Sequence, residues 1–345
     1  MDDPNEIKTG EDASTPDDTS VTTEPAAPST PEPEPRPEVE VVSDPTPQPP
    51  EMPPTPTPQP PTPPTLTPLP LSPGGRRYGL LQPAHYYKPT LIYEPFHLAV
   101  HSTGTLATAL GPVFDQGELG SCTANAGCGM REMLYRLYYK FESNQSIPPD
   151  QFIASRLLLY YLERQLQGDT ADDTGATTDV LMQALTEFGV CTESLDAYDI
   201  TKFTTPPTDD QLANALNYRI GASHMLLDLD HMCSCIDSAY PFCLGFDVYE
   251  SFEGAGVAAT GIMPMPGPGE NLLGGHEVLA FAYDRTFKFP DGNVGAIFLR
   301  NSWGEGWGKP FGGDVAQGGD FAMPFAYLIS EHVSDIRIGH LGKPW

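Results

Sequence analysis

Basic residues are scarce in this chain. Lys and Arg together number 18 against 46 Asp and Glu, a formal net charge of −28 over 345 residues. That balance repels phosphate backbones and anionic lipid headgroups, so no nucleic acid and no membrane surface is expected as a partner, whereas cationic peptides are tolerated. Long apolar runs are missing as well. No stretch reaches the roughly 18 residues that a membrane span needs, and the acidic opening MDDPNEIKTGED has neither the apolar centre of a secretory signal nor the arginines of a transit peptide. An intracellular location is the expectation. Cysteine is sparse too: six residues at irregular spacing do not read as a disulfide framework, which agrees with a reducing compartment. Cys233 and Cys235, with Cys243 nearby, form a lone Cys-x-Cys without a paired second motif or a histidine at finger spacing. They read as free or buried thiols, and neither a metal nor another cofactor is expected.

The first 75 residues lack cysteine and aromatic side chains altogether. They hold 23 of the 39 prolines and 14 acidic residues against two basic ones, a composition that cannot bury enough apolar surface to offset its chain entropy. A disordered, locally polyproline II tail is expected over 1–75, serving as a solvated spacer or tether in preference to an autocatalytically removed propeptide. All six cysteines, three tryptophans and eight histidines lie beyond it. Residues 76–345 suffice for one domain with a large core or two packed lobes.

Within that domain the hydrophobic period changes along the chain. Residues 78–110 show turn residues and short apolar groups without clear period, an extended wrap over 76–114. Helical spacing follows over Cys122–Phe141, Pro149–Leu166, Thr178–Phe188, Asp209–Tyr218 and Met225–Ala239. Short aromatic and branched runs then appear at Pro241–Tyr249, His276–Tyr283 and Gly295–Arg300, the last two joined as an antiparallel pair by the turn Pro290-Asp291-Gly292. Helices first and strands later predict an α+β architecture, with a helical lobe over about 115–240, a β lobe over about 241–345 and a site in the cleft between them.

The stretch Gly111–Arg131, GPVFDQGELGSCTANAGCGMR, has the layout of a loop delivering Cys122 to a helix N-terminus. There the unpaired N–H groups and the positive end of the macrodipole favour thiolate over thiol. A cysteine before small residues is more often buried and inert, so the reading depends on companions. A thiol nucleophile needs a base, the base an orienting acceptor, and the oxyanion a set of donors. His276, in GGHEV, sits at a strand edge behind two glycines. Asn301 opens RNSWGEGWG, a run of Gly and Trp that packing alone does not explain.

Together, QGELGSC (Gln116–Cys122), GGHEVLAFAYD (Gly274–Asp284) and NSWGEGWG (Asn301–Gly308) resemble the papain-like cysteine peptidase family, in its order and at its separations. The resemblance covers roughly Ala109–Leu328. It implies a two-lobed α+β fold with an antiparallel β-barrel-like lobe, and an endopeptidase acting on protein or peptide substrates through an acyl-enzyme. By residue it implies Cys122 as nucleophile, His276 as base and then acid, Asn301 as orienter of the imidazole, Gln116 as oxyanion donor beside the Cys122 N–H, and Trp303 as a shield over the Asn301–His276 contact. A transpeptidase or ligase using the same acyl-enzyme, and an inactive peptidase-fold binding protein, are the alternatives.

Leu119 and Thr123 stand where relatives usually have cysteine and tryptophan, and Thr123-Ala124-Asn125-Ala126 resembles a microbial or viral branch. The proline-rich tail is unsuited to a helical inhibitory propeptide. Gly175 matches the family's glycine that hydrogen-bonds substrate backbone, although the usual double glycine reads Gly175-Ala176 here. Glu277 takes the place of a small residue lining the second specificity pocket. Solvent exposure is the first expectation for its carboxylate, and a bias of that pocket towards basic side chains the alternative.

Overall fold

The computed structural model describes residues 71–72, 74–82, 91–94, 101–141, 152–308 and 315–341. Nearly all of the tail expected over 1–75, and the start of the helix expected at Pro149, lie outside the described residues. Helix α1, Cys122–Phe141, forms where apolar residues recur at helical spacing: Ala124, Ala126, Met130, Met133, Leu134 and Leu137 are all buried. Gly127 and Gly129 open its flanks to close approach. A Cβ on the first would stand 2.3 Å from Leu181 Cδ1 and one on the second 2.9 Å from Leu279 Cδ2, so neighbouring helix and sheet both press against this helix.

Helix α2 runs over Arg156–Gln167, capped by the Ser155 side chain on the Leu158 N–H and closed by Gly168 at φ 81°. It starts later than its apolar pattern predicts. Phe152–Ala154 are extended because Ala154 pairs with Thr192 and gives its N–H to the Glu132 carboxylate at 2.9 Å. Helix α3, Thr178–Glu187, is capped by Thr177. Helix α4, Asp209–Ala215, opens with a Thr208/Gln211 capping box and passes into a turn of 3-10 helix ending at Tyr218.

The sheet draws on strands β1 (Thr103–Thr105), β2 (Ala222–Met225), β3 (Phe242–Tyr249), β4 (Leu272–Lys288), β5 (Val294–Arg300), β6 (Asp320–Pro324) and β7 (Val333–His340). The order is β2-β7-β3-β4-β5-β6, with β1 paired to the far part of β4, and every pairing is antiparallel. The β4–β5 pair joined through Pro290–Gly292 is the one its turn signal predicts. One helix expectation is corrected: Met225 belongs to β2, held by β7, and the helix after it, α5, occupies only Leu229–Asp237 behind an Asp228 cap. Short helices α6 (Ala255–Thr260) and α7 (Phe325–Leu328) complete the elements. No helix among the described residues is long and apolar enough to cross a membrane.

The register of three strands brings one row of side chains together. Gly245 of β3 stands opposite Glu277 on one side and Ser334 on the other, so these three side-chain positions share a face. Thr178 at the start of α3 reaches that face, its hydroxyl 2.8 Å from Glu277 Oε2.

Candidate active site

Cys122 is the first residue of α1. The turn that carries it is closed by Asn125, whose backbone N–H donates to Ser121 O at 3.0 Å and whose side-chain Nδ2 donates to the same carbonyl at 2.8 Å. Asp173 fixes the preceding loop by accepting the Gly120 N–H at 3.0 Å. The helix N-terminus favours thiolate here, yet the side chain is 0% exposed, and burial pushes the thiol up to about 12. Main-chain hydrogen bonds at Glu277 and Gly79 pull it down, and the Glu277 and Glu163 carboxylates add to the rise.

His276 lies on β4, also 0% exposed, with Nε2 2.8 Å from Asn301 Oδ1. That oxygen also accepts the Ser302 N–H at 2.8 Å, which identifies it as the acceptor and places the imidazole proton on Nε2. Nδ1 has no partner among the described residues and is left as the basic nitrogen. The main chain of Glu277, the residue next to His276, acts on the Cys122 thiol. Burial drives the imidazole down to about 4, against the opposing pull of the Asn301 bond. Trp303 lies over the ring with centroids 5.0 Å apart, and the Asn301 N–H is tied to Gly319 O at 2.9 Å.

Gln116 is oriented from both ends. Its backbone N–H donates to Ser302 O at 2.9 Å, and its Oε1 accepts the Ser302 hydroxyl at 2.6 Å, which leaves Nε2 as the donor into the site. Nε2 gives hydrogen bonds to Leu119 O at 2.9 Å and Arg77 O at 3.3 Å. His276, Asn301, Trp303 and, through Ser302, Gln116 are therefore brought together from β4 and two loops, and the main chain of Glu277 ties Cys122 at the head of α1 to the same strand.

The segment Arg76–Leu81 covers them, although by sequence it is only part of an extended wrap. Arg76 lies over the Trp303 ring at 5.3 Å and pairs with Asp115 at 2.9 Å. Arg77 pairs with Asp173 at 3.2 Å. The Tyr78 ring stands edge-on to His276 at 6.1 Å, its hydroxyl bonded to Glu253. Gly79 passes so close that a Cβ there would lie 1.7 Å from Gly120 O. Beyond it the segment pairs on both sides. Gly79 O accepts the Ala176 N–H at 2.8 Å, the Leu81 N–H donates to Ala176 O at 2.8 Å, and the Leu80 N–H donates to Gly275 O at 3.2 Å. The run of GRRYGLL immediately after the proline-rich tail, with a glycine between an aromatic and a leucine, is the signal that could have found it.

Two expectations are corrected. Gly175 does not supply the backbone groups that pair with this segment: its N–H donates to Tyr160 Oη at 3.0 Å and its carbonyl accepts from Gln167 at 2.9 Å, leaving Ala176 to do the pairing. What Gly175 provides is space and a φ of 76°, since a Cβ there would meet Gly79 O at 1.9 Å. Glu277 is not solvated. It is 1% exposed because its strand position faces the helices, and burial holds its carboxyl well above the usual carboxylate range, with the Thr178 hydrogen bond acting the other way. All six cysteines are buried free thiols, and no group of three or more His, Cys, Asp or Glu among the described residues is placed to hold a metal.

No family model matches the chain. It is 32% identical over 256 residues to an uncharacterised peptidase C1-like protein of Acanthamoeba polyphaga mimivirus, across 72% of this chain and 74% of that one. Among solved structures it is similar to xylellain, a cysteine protease from Xylella fastidiosa, at 28% identity and a TM-score of 0.61, covering 77% of this chain and 96% of that chain. The fold is also that of a procathepsin B from Trypanosoma congolense, 16% identical with a TM-score of 0.56 over 78% and 88% of the two chains.

Proposed function

The chain belongs to the papain-like cysteine peptidase family, and from that premise we propose that it is an endopeptidase that hydrolyses peptide bonds in protein substrates through an acyl-enzyme on Cys122. The observation that carries the reading is the 2.8 Å contact between His276 Nε2 and Asn301 Oδ1, which leaves Nδ1 unpartnered on the strand whose next residue, Glu277, acts through its main chain on Cys122 at the head of α1. In this reading His276 Nδ1 takes the thiol proton, and the sulfur attacks the scissile carbonyl carbon. Gln116 Nε2 and the Cys122 N–H face the oxygen that becomes negative; loss of one such donor costs about 10²–10³ in rate. The protonated imidazole then gives its proton to the leaving amine as the C–N bond breaks. Water, deprotonated by the same nitrogen, attacks the thioester and expels the sulfur.

With Arg76–Leu81 in place the nucleophile is inaccessible and both partners are neutral, so a substrate enters only after this segment withdraws. The segment occupies the groups a substrate needs: the Gln116 donor is bonded to Arg77 O, and the Ala176 backbone to Gly79 and Leu81. The test is incubation of the purified full chain with an unfolded protein, followed by mass spectrometry of the products. New fragments, each hydrolysed bond adding one water, are expected from the wild type and absent from Cys122→Ala. Persisting fragmentation in that variant would remove the mechanism, and joined products would favour acyl transfer to an amine over hydrolysis.

A further inference from the structure

The covering segment also samples a side-chain pocket. A peptide that adds to exposed backbone as a strand gains affinity from main-chain hydrogen bonds and specificity from the pockets beneath its side chains. Leu80 lies between the two backbone attachments, at Ala176 and at Gly275. Its side chain drops onto the shared row of Gly245, Glu277 and Ser334. A Cβ built on Gly245 would stand 2.4 Å from Leu80 Cδ2, 3.3 Å from Glu277 Oε2 and 3.3 Å from Ser334 Oγ. Glycine at 245 is what opens the floor to a side chain, and that floor is polar. It is flanked by a carboxyl and a hydroxyl, with the tip of a leucine over Gly245 between them.

That carboxylate is unbalanced. Oε2 accepts one hydrogen bond, from Thr178, and Oε1 has no partner among the described residues although Glu277 is 1% exposed. The other charged groups that act on it are the Asp335 and Glu163 carboxylates and the Arg337 guanidinium. Arg337 is bonded through Nε to Asp335 at 2.7 Å, and its Nη2 lies 3.2 Å from Asp179 without making a hydrogen bond. The acidic groups acting on Glu277 thus outnumber the cation, its Oε1 is an unfilled acceptor, and Leu80 offers neither charge nor a donor. A buried acceptor gains most from a donor that is itself charged.

Resting on the peptidase reading, we propose that Glu277 is a specificity-determining residue that selects peptides carrying arginine or lysine at the position that replaces Leu80, so that the side chain reaches the Glu277 carboxylate across Gly245. Leu80 is a placeholder of the right length and the wrong chemistry, which lets a basic substrate displace the segment. An apolar peptide gains nothing over Leu80 at this pocket.

The test separates pocket from catalysis. Fluorescent peptides identical except for Arg, Lys or Leu at the pocket position are titrated into full-length Cys122→Ala by anisotropy, and the same peptides are given to the wild type for cleavage. The Arg and Lys peptides are expected to bind on the order of tenfold tighter than the Leu peptide, the ratio collapsing towards one in the Cys122→Ala/Glu277→Gln chain. A second variant, Ser334→Lys in the Cys122→Ala background, places a fixed cation beside Glu277 and should abolish the preference in the same way. Equal binding of all three peptides, no binding, or a preference that survives both substitutions overturns the proposal. Discriminating binding without any cleavage by the wild type leaves the pocket standing and removes the peptidase reading instead.

Discussion

Two buried carboxyl groups act on Cys122, and one of them carries a cost. Glu163 is 0% exposed, its Oε2 accepts the Thr123 hydroxyl at 2.7 Å, and its Oε1 has no partner among the described residues. Burial pushes this carboxyl up to about 8, against the pull of Thr123 and Arg164. A raised carboxylate means that the folded chain holds a proton the unfolded chain has released, so stability falls as pH rises from about 4.5 to about 8. At pH 7 the penalty is of the order of 3 kcal/mol. Glu163→Gln keeps an acceptor for Thr123 and removes the ionisation. Its melting temperature should exceed that of the wild type by several degrees at pH 7–8 and by nothing below pH 4.5, and calorimetry at the two pH values checks both arms. At this scale the sequence discloses residue types that chemistry requires, as with Cys122, His276 and Asn301, because their motifs pair a reactive group with glycines and tryptophans of no packing use. It does not disclose burial. Glu277 reads as a solvated carboxylate until the register of β3, β4 and β7 puts it beneath Leu80, and a long-range pairing of that kind leaves no local mark.

Among the elements, Arg76–Leu81 lies across the site. Its hold rests on three main-chain hydrogen bonds to Ala176 and Gly275, the Arg77 pairing with Asp173, and Leu80 in its pocket. Leu80→Asp places a charged side chain without a cationic partner in a buried position beside the Glu277 carboxyl, and burying an unpaired charge is costly. The segment should then leave. Cys122 gains solvent, and with the burial that raises it relieved, its thiol falls from about 12 towards its ordinary range. Alkylation of Cys122 by iodoacetamide at pH 7, followed by peptide mapping, should accelerate at least about tenfold in Leu80→Asp; equal rates would mean that the segment does not control access. The helices and strands that form the scaffold are legible in the sequence where a local signal sets them. Cys122–Phe141 follows its apolar period, and β4–β5 follows its turn. The misplacements share one cause, namely partners distant in sequence: Phe152–Ala154 is drawn out by Thr192 and Glu132, and Met225 by β7. The covering segment escapes for the same reason, since a short extended run has no period of its own and takes its form from the backbones it pairs with.

For the whole molecule the acidic excess becomes a rate effect. A net charge of −28 sets up a negative potential around the protein that concentrates cationic peptides and repels anionic ones before any pocket is reached. This steering is independent of Glu277, which acts at contact range inside a pocket screened from salt. The two are separable by ionic strength, because the Debye length shrinks from about 30 Å at 0.01 M to about 3 Å at 1 M. For a lysine-rich peptide kcat/KM should fall several-fold as sodium chloride rises across that range, and for a glutamate-rich peptide of equal length it should rise. The ratio between Arg and Leu at the Leu80 position, measured within one peptide background of constant overall charge, should stay nearly level. A ratio that collapses with salt would assign the basic preference to the long-range field of the chain and not to the carboxylate beneath Leu80.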